Sequence, residues 1–164
     1  MTDIVHNTDH GAILYDSSII EKVTDDLFVP SSWPHSRISG KDIGGRDNIF
    51  YLANNESSYV LRHYNRGGAV SRFIKDSYFW TGAENTRAFS EWRLLKRLFS
   101  MGLPVPKPVA ARYKRFHFFY KADLITVELP RVKPLARYLI DGDYFDNFWQ
   151  KVGALIAKFH DAGL

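Results

Sequence analysis

Cysteine is absent from the 164 residues, which excludes disulfide stapling, thiolate nucleophiles and cysteine zinc sites and makes a reducing compartment the economical assumption. Long apolar runs are missing too. The longest are a few residues, far short of the roughly 20 that a membrane span needs, and Met1-Thr2-Asp3-Ile4-Val5-His6 lacks the basic start and apolar centre of a signal peptide. A soluble, cytoplasmic chain is therefore expected. There is no internal repeat or low-complexity segment. The six histidines, His6, His10, His35, His63, His117 and His160, show no ligand spacing, and no acidic cluster suits magnesium. Neither G-x-S-x-G nor a Ser-His-Asp arrangement is visible, so nucleophilic hydrolysis has no support.

What is present is a globular composition: 45% apolar, 15% aromatic and 24% charged residues, enough to bury a core and unlike a disordered or fibrous chain. The 22 Lys and Arg exceed the 18 Asp and Glu, a balance that favours anionic partners without choosing among phosphates, nucleic acid and an acidic membrane surface. The excess is local. From Arg62 to Lys75 the cations Arg62, Arg66, Arg72, Lys75 and, when protonated, His63 are interleaved with Tyr64 and Phe73, and no acid interrupts them.

Periodicity and punctuation divide the chain. Residues 1–37 read as an N-terminal extension, with a short strand at Ala12–Tyr15, a helical turn at Ser18–Val23 and an extended connection at Val29–Pro34 because each proline pushes its predecessor out of the α region. Three strands then follow at Ile38–Ile43, Ile49–Leu52 and Tyr59–Tyr64, joined by the turns Gly44-Gly45-Arg46-Asp47 and Asn54-Asn55-Glu56-Ser57. Thr81 and Glu84 stand at capping-box spacing before a helix whose apolar positions are Ala88, Trp92, Leu95, Leu98 and Phe99, and Gly102 with Pro104, Pro106 and Pro108 stops it. Val109–Tyr113, Phe116–Tyr120 and Leu124–Leu129 read as three more strands. After residue 130 the period changes: Leu135–Ile140 is a helical turn, and Phe145, Phe148, Trp149, Val152, Leu155, Ile156 and Phe159 mark a helix with one apolar face. The fold class is therefore α+β, an antiparallel sheet carrying one helix over 38–130 and the start of a helical region over 131–164.

Three features could carry chemistry. Gly44-Gly45 would let backbone amides approach a phosphate closely, with Arg46 as a neighbouring cation, although a glycine pair in a hairpin also serves ordinary turn geometry. Arg62 alternates with Leu61 and His63 and can point inward with Val60 and Tyr64. Glu91 has Ala88, Leu95 and Leu98 as helical neighbours, which places a carboxylate beside the apolar stripe, where it either reaches solvent or takes a cation as partner.

This order of parts, a glycine turn between strands, a strand with a central cation and a helix with an inward glutamate, is that of a protein-kinase-like small lobe. The runs Gly44–Asp47, Val60–Gly68, Thr81–Arg87, Gly102–Arg112 and Lys121–Thr126 closely resemble the 3-deoxy-D-manno-octulosonic acid (Kdo) kinases of Gram-negative bacteria, over essentially residues 38–164. The resemblance implies a protein-kinase-like small lobe followed by the first helices of the large lobe, and an ATP-dependent enzyme that phosphorylates the 4-hydroxyl of Kdo on a lipid A precursor in lipopolysaccharide core synthesis. It implies work as a peripheral protein at the cytoplasmic face of the inner membrane, with the basic and aromatic stretch 62–80 suited to that surface, and no nucleic-acid partner. Gly44, Gly45 and Arg46 would cover the phosphates, Arg62 would stand where most kinases have lysine, Glu91 would be its helix partner, and Glu128 and Leu129 would fall near the adenine. Arginine's planar fork and lysine's point charge are not interchangeable, so the phosphate contact here departs from the common kinase form.

The same pattern leads from a long helix ending in Phe-His into an H-x-D-x-x-x-x-N loop, whereas Phe159-His160-Asp161-Ala162-Gly163-Leu164 ends the sequence. The catalytic Asp and the magnesium ligands are thus expected beyond Leu164, no catalytic residue is assigned within the chain, and the 164 residues alone are expected to be an inactive fragment. Two alternatives stand beside this reading: a lipopolysaccharide heptose kinase, and a non-catalytic module that binds anions or a membrane surface through the stretch 62–80.

Overall fold

The computed structural model describes residues 3–38, 49–65, 77–142 and 146–164. Gly44, Gly45 and Arg46, the cations Arg66, Arg72 and Lys75, and Phe145 lie outside them. The described strands form one antiparallel sheet: β1 (Asp3–Thr8), β2 (Gly11–Asp16), β3 (His35–Ile38), β4 (Ile49–Ala53), β5 (Ser58–His63), β6 (Tyr78–Phe79), β7 (Pro108–Phe116) and β8 (Phe119–Val127). Their order is β1-β2-β7-β8-β5-β4-β3, and β6 also pairs with β8. Among the described residues the helix on the sheet is α1 (Arg87–Ser100), which packs on β7 and β8. Beyond β8 come α2 (Leu135–Asp141) and α3 (Phe148–Asp161). The α+β class and the sheet-plus-helix arrangement expected from the sequence are both present.

Each sheet face is covered by a different part of the chain. Strand alternation sends Leu14, Ala111, Tyr113, Tyr120, Ala122 and Leu124 toward α1, where Ala88, Phe89 and Trp92 close the core. Trp92 is completely buried and is the largest side chain to be so. The opposite face carries Ile13, Tyr15, Leu52, Tyr59, Leu61 and Ile125, and the segment from Ile19 to Trp33 lies over it through Ile20, Phe28 and Trp33. An ionic chain pins that segment: Arg112 grips Asp123 at 2.7 and 2.9 Å and Asp25 at 2.7 Å, Lys114 stands 3.2 Å from Asp25, and His63 meets the other Asp123 oxygen at 2.6 Å.

Several sequence expectations are corrected. The sheet does not start at residue 38, because Gly11–Asp16 pairs along β7; residues 1–37 are therefore built into the sheet rather than appended to it. Gly11 permits this close approach, since a Cβ there would fall 2.0 Å from the Tyr113 carbonyl oxygen. Ser18–Val23 is not helical; the turn lies later, as a 3-10 helix at Asp25–Phe28, and a second at Pro30–Ser32 replaces the extended connection, with proline preset for the first helical position. Of Ile38–Ile43 only Ile38 is described, and it ends a strand that begins at His35. Phe116–Tyr120 is not a separate strand. It holds the two-residue turn of a long hairpin, Phe116 facing Phe119 across it, with His117 at φ 53°. The helix starts at Arg87 rather than after a Thr81–Glu84 capping box, because the Glu84 carboxylate is taken by Arg93 at 2.8 Å and Thr86 precedes the first turn. Phe89, not Phe99, fills the core; Phe99 is exposed. Gly102 does end the helix, in the left-handed region at φ 74°.

The clamp on the N-terminal segment has an acid-side signature. Burial pushes the Asp25 carboxyl up, but hydrogen bonds from Arg112 and Lys114 outweigh it and hold the group below its ordinary 3.8. A carboxyl with a depressed folded-state pKa contributes stability that is present above its ordinary value and lost as the pH falls through the lower one. The melting temperature is therefore expected to drop on acidification below pH 3.8 more steeply in the parent than in Asp25→Asn. Equal slopes in a thermal series would contradict the clamp.

Candidate nucleotide-binding site

Strand β5 and helix α1 bring Arg62 and Glu91 together. In β5 the side chains of Val60 and Arg62 alternate away from Leu61, which enters the opposite core, and Tyr64 continues that face just beyond the strand. The register sets Ile49, Arg62 and Leu124 in one row and Tyr51, Val60 and Thr126 in the next. On α1, Glu91 precedes the buried Trp92 at the edge of the helix facing the sheet. Arg62 Nη2 donates to Glu91 Oε1 in an ion pair and to the Tyr64 hydroxyl at 3.1 Å, while that hydroxyl donates to Glu91 Oε2 at 2.6 Å. Both carboxylate oxygens are thus occupied, and the guanidinium also lies over the Tyr64 ring, 4.9 Å from its centre.

Tyr64 locks the pair. Burial and its bond to Glu91 raise the phenol well above its usual range, so it remains a neutral donor. Burial opposes the Arg62 charge, but Tyr64 and Glu91 more than compensate and its pKa is raised. Both bonds leave from one terminal nitrogen, Nη2, and the buried Nε–H has no hydrogen-bond partner among the described residues. The cluster is about one-third open, the Arg62 and Glu91 side chains being 34% and 35% exposed. A fixed, partly open cation at the rim of a sheet suits phosphate oxygens. Sequence reasoning found Arg62 and Glu91 but not Tyr64 as their bridge. The signal was its position two residues after Arg62, on the same face.

Glu128 and Leu129 follow β8 directly. Glu128 donates its backbone N–H to the Ser58 carbonyl at 2.9 Å, continuing the sheet, and its carboxylate accepts from Arg37 at 3.1 Å. Arg37 lies over the Tyr51 ring at 4.2 Å, and with Ala53 and Ser58 these residues line a pocket of about 200 Å³. Leu129 is exposed beside it. Arg62 pairs with Leu124, four residues back along β8, so the cation and this pocket lie roughly 14 Å apart on one strand. Between them Val60 and Thr126 remain half-open, because α1 sits over β7 and β8 rather than over β4 and β5.

Part of the stretch 62–80 is corrected as a surface. Arg62 and His63 are engaged in ion pairs, Tyr64 and Tyr78 are buried, and only Phe79 among its described aromatics is exposed. Among the described residues no group of three or more His, Asp or Glu could hold a metal ion. No described helix is long and apolar enough to cross a membrane.

Residues 39–164 match the Lipopolysaccharide kinase (Kdo/WaaP) family. The chain is similar to proteins named 3-deoxy-D-manno-octulosonic acid kinase: 38% identical over 154 residues to that of Xylella fastidiosa (strain 9a5c), 39% over 155 to that of Stenotrophomonas maltophilia (strain R551-3), and 40% over 156 to that of Xanthomonas axonopodis pv. citri (strain 306). Each alignment covers 94% of this chain and 61% of the relative, so the chain spans about three-fifths of the length of the curated relatives it matches. No solved structure matches. The chain belongs to the lipopolysaccharide kinase (Kdo/WaaP) family.

Proposed function

We propose that the whole protein transfers the terminal phosphoryl group of ATP to the 4-hydroxyl of Kdo on a lipid A precursor, in lipopolysaccharide core synthesis, and that these 164 residues form its nucleotide-binding part. The observation that carries this reading is the Arg62–Glu91 ion pair bridged by Tyr64, which stands where a kinase joins its third-strand cation to a helix glutamate. Arg62 holds phosphate oxygens of ATP, Glu91 and Tyr64 keep its fork aimed, and Gly44, Gly45 and Arg46 contribute to phosphate binding. The half-open shelf of Val60 and Thr126 takes the base, with Glu128 and Leu129 at its end. Transfer breaks the bond between the terminal phosphorus and its bridging oxygen and forms one to the sugar oxygen. The sugar's proton goes to a base beyond Leu164, and the magnesium ligands lie there as well.

The acceptor is read from the relatives, whose names specify a Kdo kinase. An acceptor anchored in lipid places the enzyme at the cytoplasmic face of the inner membrane as a peripheral protein. Calorimetric titration of this chain with ATP tests the nucleotide role. Saturable binding that Arg62→Ala abolishes supports it, and heat changes identical in parent and variant would remove it.

A further inference from the structure

The end of the β7–β8 hairpin gathers exposed aromatic rings. Phe118 is 71% exposed, Phe79 61% and Phe116 39%. The strand register places Phe116 opposite Phe119 and Phe119 opposite Phe79, on the same side of the sheet as Lys114 and Lys121 one step inward. The rings form a continuous cluster, Phe79 edge-on to Phe119 at 6.2 Å and Phe116 stacked on Phe119 at 6.3 Å. Phe118 occupies the turn itself, held there by a bond from Trp80 N–H to its carbonyl at 2.9 Å and by His117 in the left-handed region, a conformation that costs a non-glycine residue energy. The turn thus keeps a large apolar ring in water.

Basic residues gather at this tip: Lys121 stands on the phenylalanine side of the sheet, and Arg115, alternating to the other side, lies over the Trp80 ring and donates to the His117 carbonyl at 3.1 Å. Among the described residues, Asp25 is committed to Arg112 and Lys114 and Glu84 to Arg93, and Asp9 stands at the rim of the pocket that Arg115 lines. The chain's own later helices do not account for the patch. They leave from the other end of β8, whose nine residues from Phe119 to Val127 span roughly 27 Å.

We propose that this tip is a membrane-docking wedge whose partner is an anionic phospholipid bilayer: Phe79, Phe116 and Phe118 enter the headgroup boundary while Arg115, Lys121 and His117 meet lipid phosphates. Exposed aromatic rings beside basic residues are the chemistry of an interfacial anchor. Arg62 pairs with a residue five positions along β8 from Phe119, about 17 Å away, so a docked tip keeps the phosphate-binding cluster near a headgroup-borne sugar. The biological purpose rests on the kinase reading, but the surface chemistry does not.

The test is co-sedimentation of the chain, without nucleotide, with vesicles of phosphatidylethanolamine and phosphatidylglycerol, against vesicles of phosphatidylcholine alone. Binding to the anionic vesicles is expected to weaken with salt and to fall about tenfold in Phe118→Asp, a loss that corresponds to about 1.4 kcal/mol. Lys121→Glu should weaken it too, and Trp149→Ala, at an exposed ring on α3, should not. Thermal melts confirm that the variants fold. Undiminished binding by Phe118→Asp, equal loss in Trp149→Ala, equal binding to both vesicle types, or a dimer that Phe118→Asp dissociates while vesicle binding persists would each overturn the proposal. Phosphotransfer to a lipid-free Kdo acceptor reports separately on the kinase reading.

Discussion

Glu91→Ala in the whole-length protein is expected to lower kcat/KM for ATP by about 30–100-fold, since losing one partner of a hydrogen-bonded charge pair costs roughly 2–3 kcal/mol when the pair is partly open. The one-third exposure of both side chains argues for this lower part of the usual range. The effect arises through Arg62. Without the carboxylate, its Nη2 keeps only the Tyr64 hydroxyl, and the fork is free to rotate away from the phosphates. Glu91→Gln keeps an acceptor and should cost less. Tyr64→Phe, which removes one bridge and leaves the ion pair, should cost about 3–10-fold. Arg62→Lys should not restore parent kinetics, because a lysine cannot hold Glu91 and phosphate through separate nitrogens of one plane. Nucleotide titrations paired with thermal melts check this series. A Glu91→Ala protein that melts lower yet keeps parent kinetics would make the pair structural only.

The second large effect is on stability. Arg112 is 11% exposed and joins Asp123, 8% exposed, to Asp25 on the segment that covers the outer sheet face. Arg112→Met leaves Asp123 buried with His63 and Asp25 with Lys114, and breaking such a buried pair costs about 3–5 kcal/mol. Domains of this size have only about 5–15 kcal/mol in total, so a fall in melting temperature of roughly 6–20 °C is expected. Residues 17–34 should also become protease-sensitive before the rest. Arg112→Met with Asp123→Asn should recover part of the loss, since the remaining uncompensated charge is then gone. A shift of less than about 2 °C, with residues 17–34 still protected, would mean that apolar packing of Phe28 and Trp33 holds the segment unaided.

How much of this was legible in the sequence depended on the strength of each local signal. The two strands β4 and β5, helix α1 and its end at Gly102 were readable because apolar spacing and punctuation agree there. Strand alternation and helical spacing placed Arg62 and Glu91 each beside an apolar face, and the resemblance to the kinase pattern made them partners. Strand β1 was not readable: Asp3–Thr8 is an edge strand, mostly exposed, and lacks the alternation that reveals a buried face. The turn at His117-Phe118 was hidden because phenylalanine has high strand propensity and no glycine or asparagine marks the reversal. The Asp25–Arg112–Asp123 chain joins residues 87 and 11 positions apart, a relation that only the folded sheet creates. Tyr64 was placed on the correct face but its hydroxyl's role depends on the geometry of both partners.

The arrangement also explains the choice of arginine over lysine at position 62. A single guanidinium satisfies a glutamate and a tyrosine through Nη2 and carries a second terminal nitrogen, whereas a lysine's one ammonium would have to serve all three partners. Position 62 thus links the α1 packing, through Glu91 and Trp92, to the face on which the nucleotide is proposed to bind.

The most direct measurement of the central claim is phosphate transfer from ATP to a Kdo-bearing lipid A precursor, followed by mass spectrometry, for the whole-length protein and this chain side by side. The account predicts a monophosphorylated Kdo lipid from the whole-length protein, no product from the 164 residues, and ATP binding by both. Product from a heptose-bearing acceptor only, turnover by the 164 residues alone, or absence of ATP binding in either protein would contradict it.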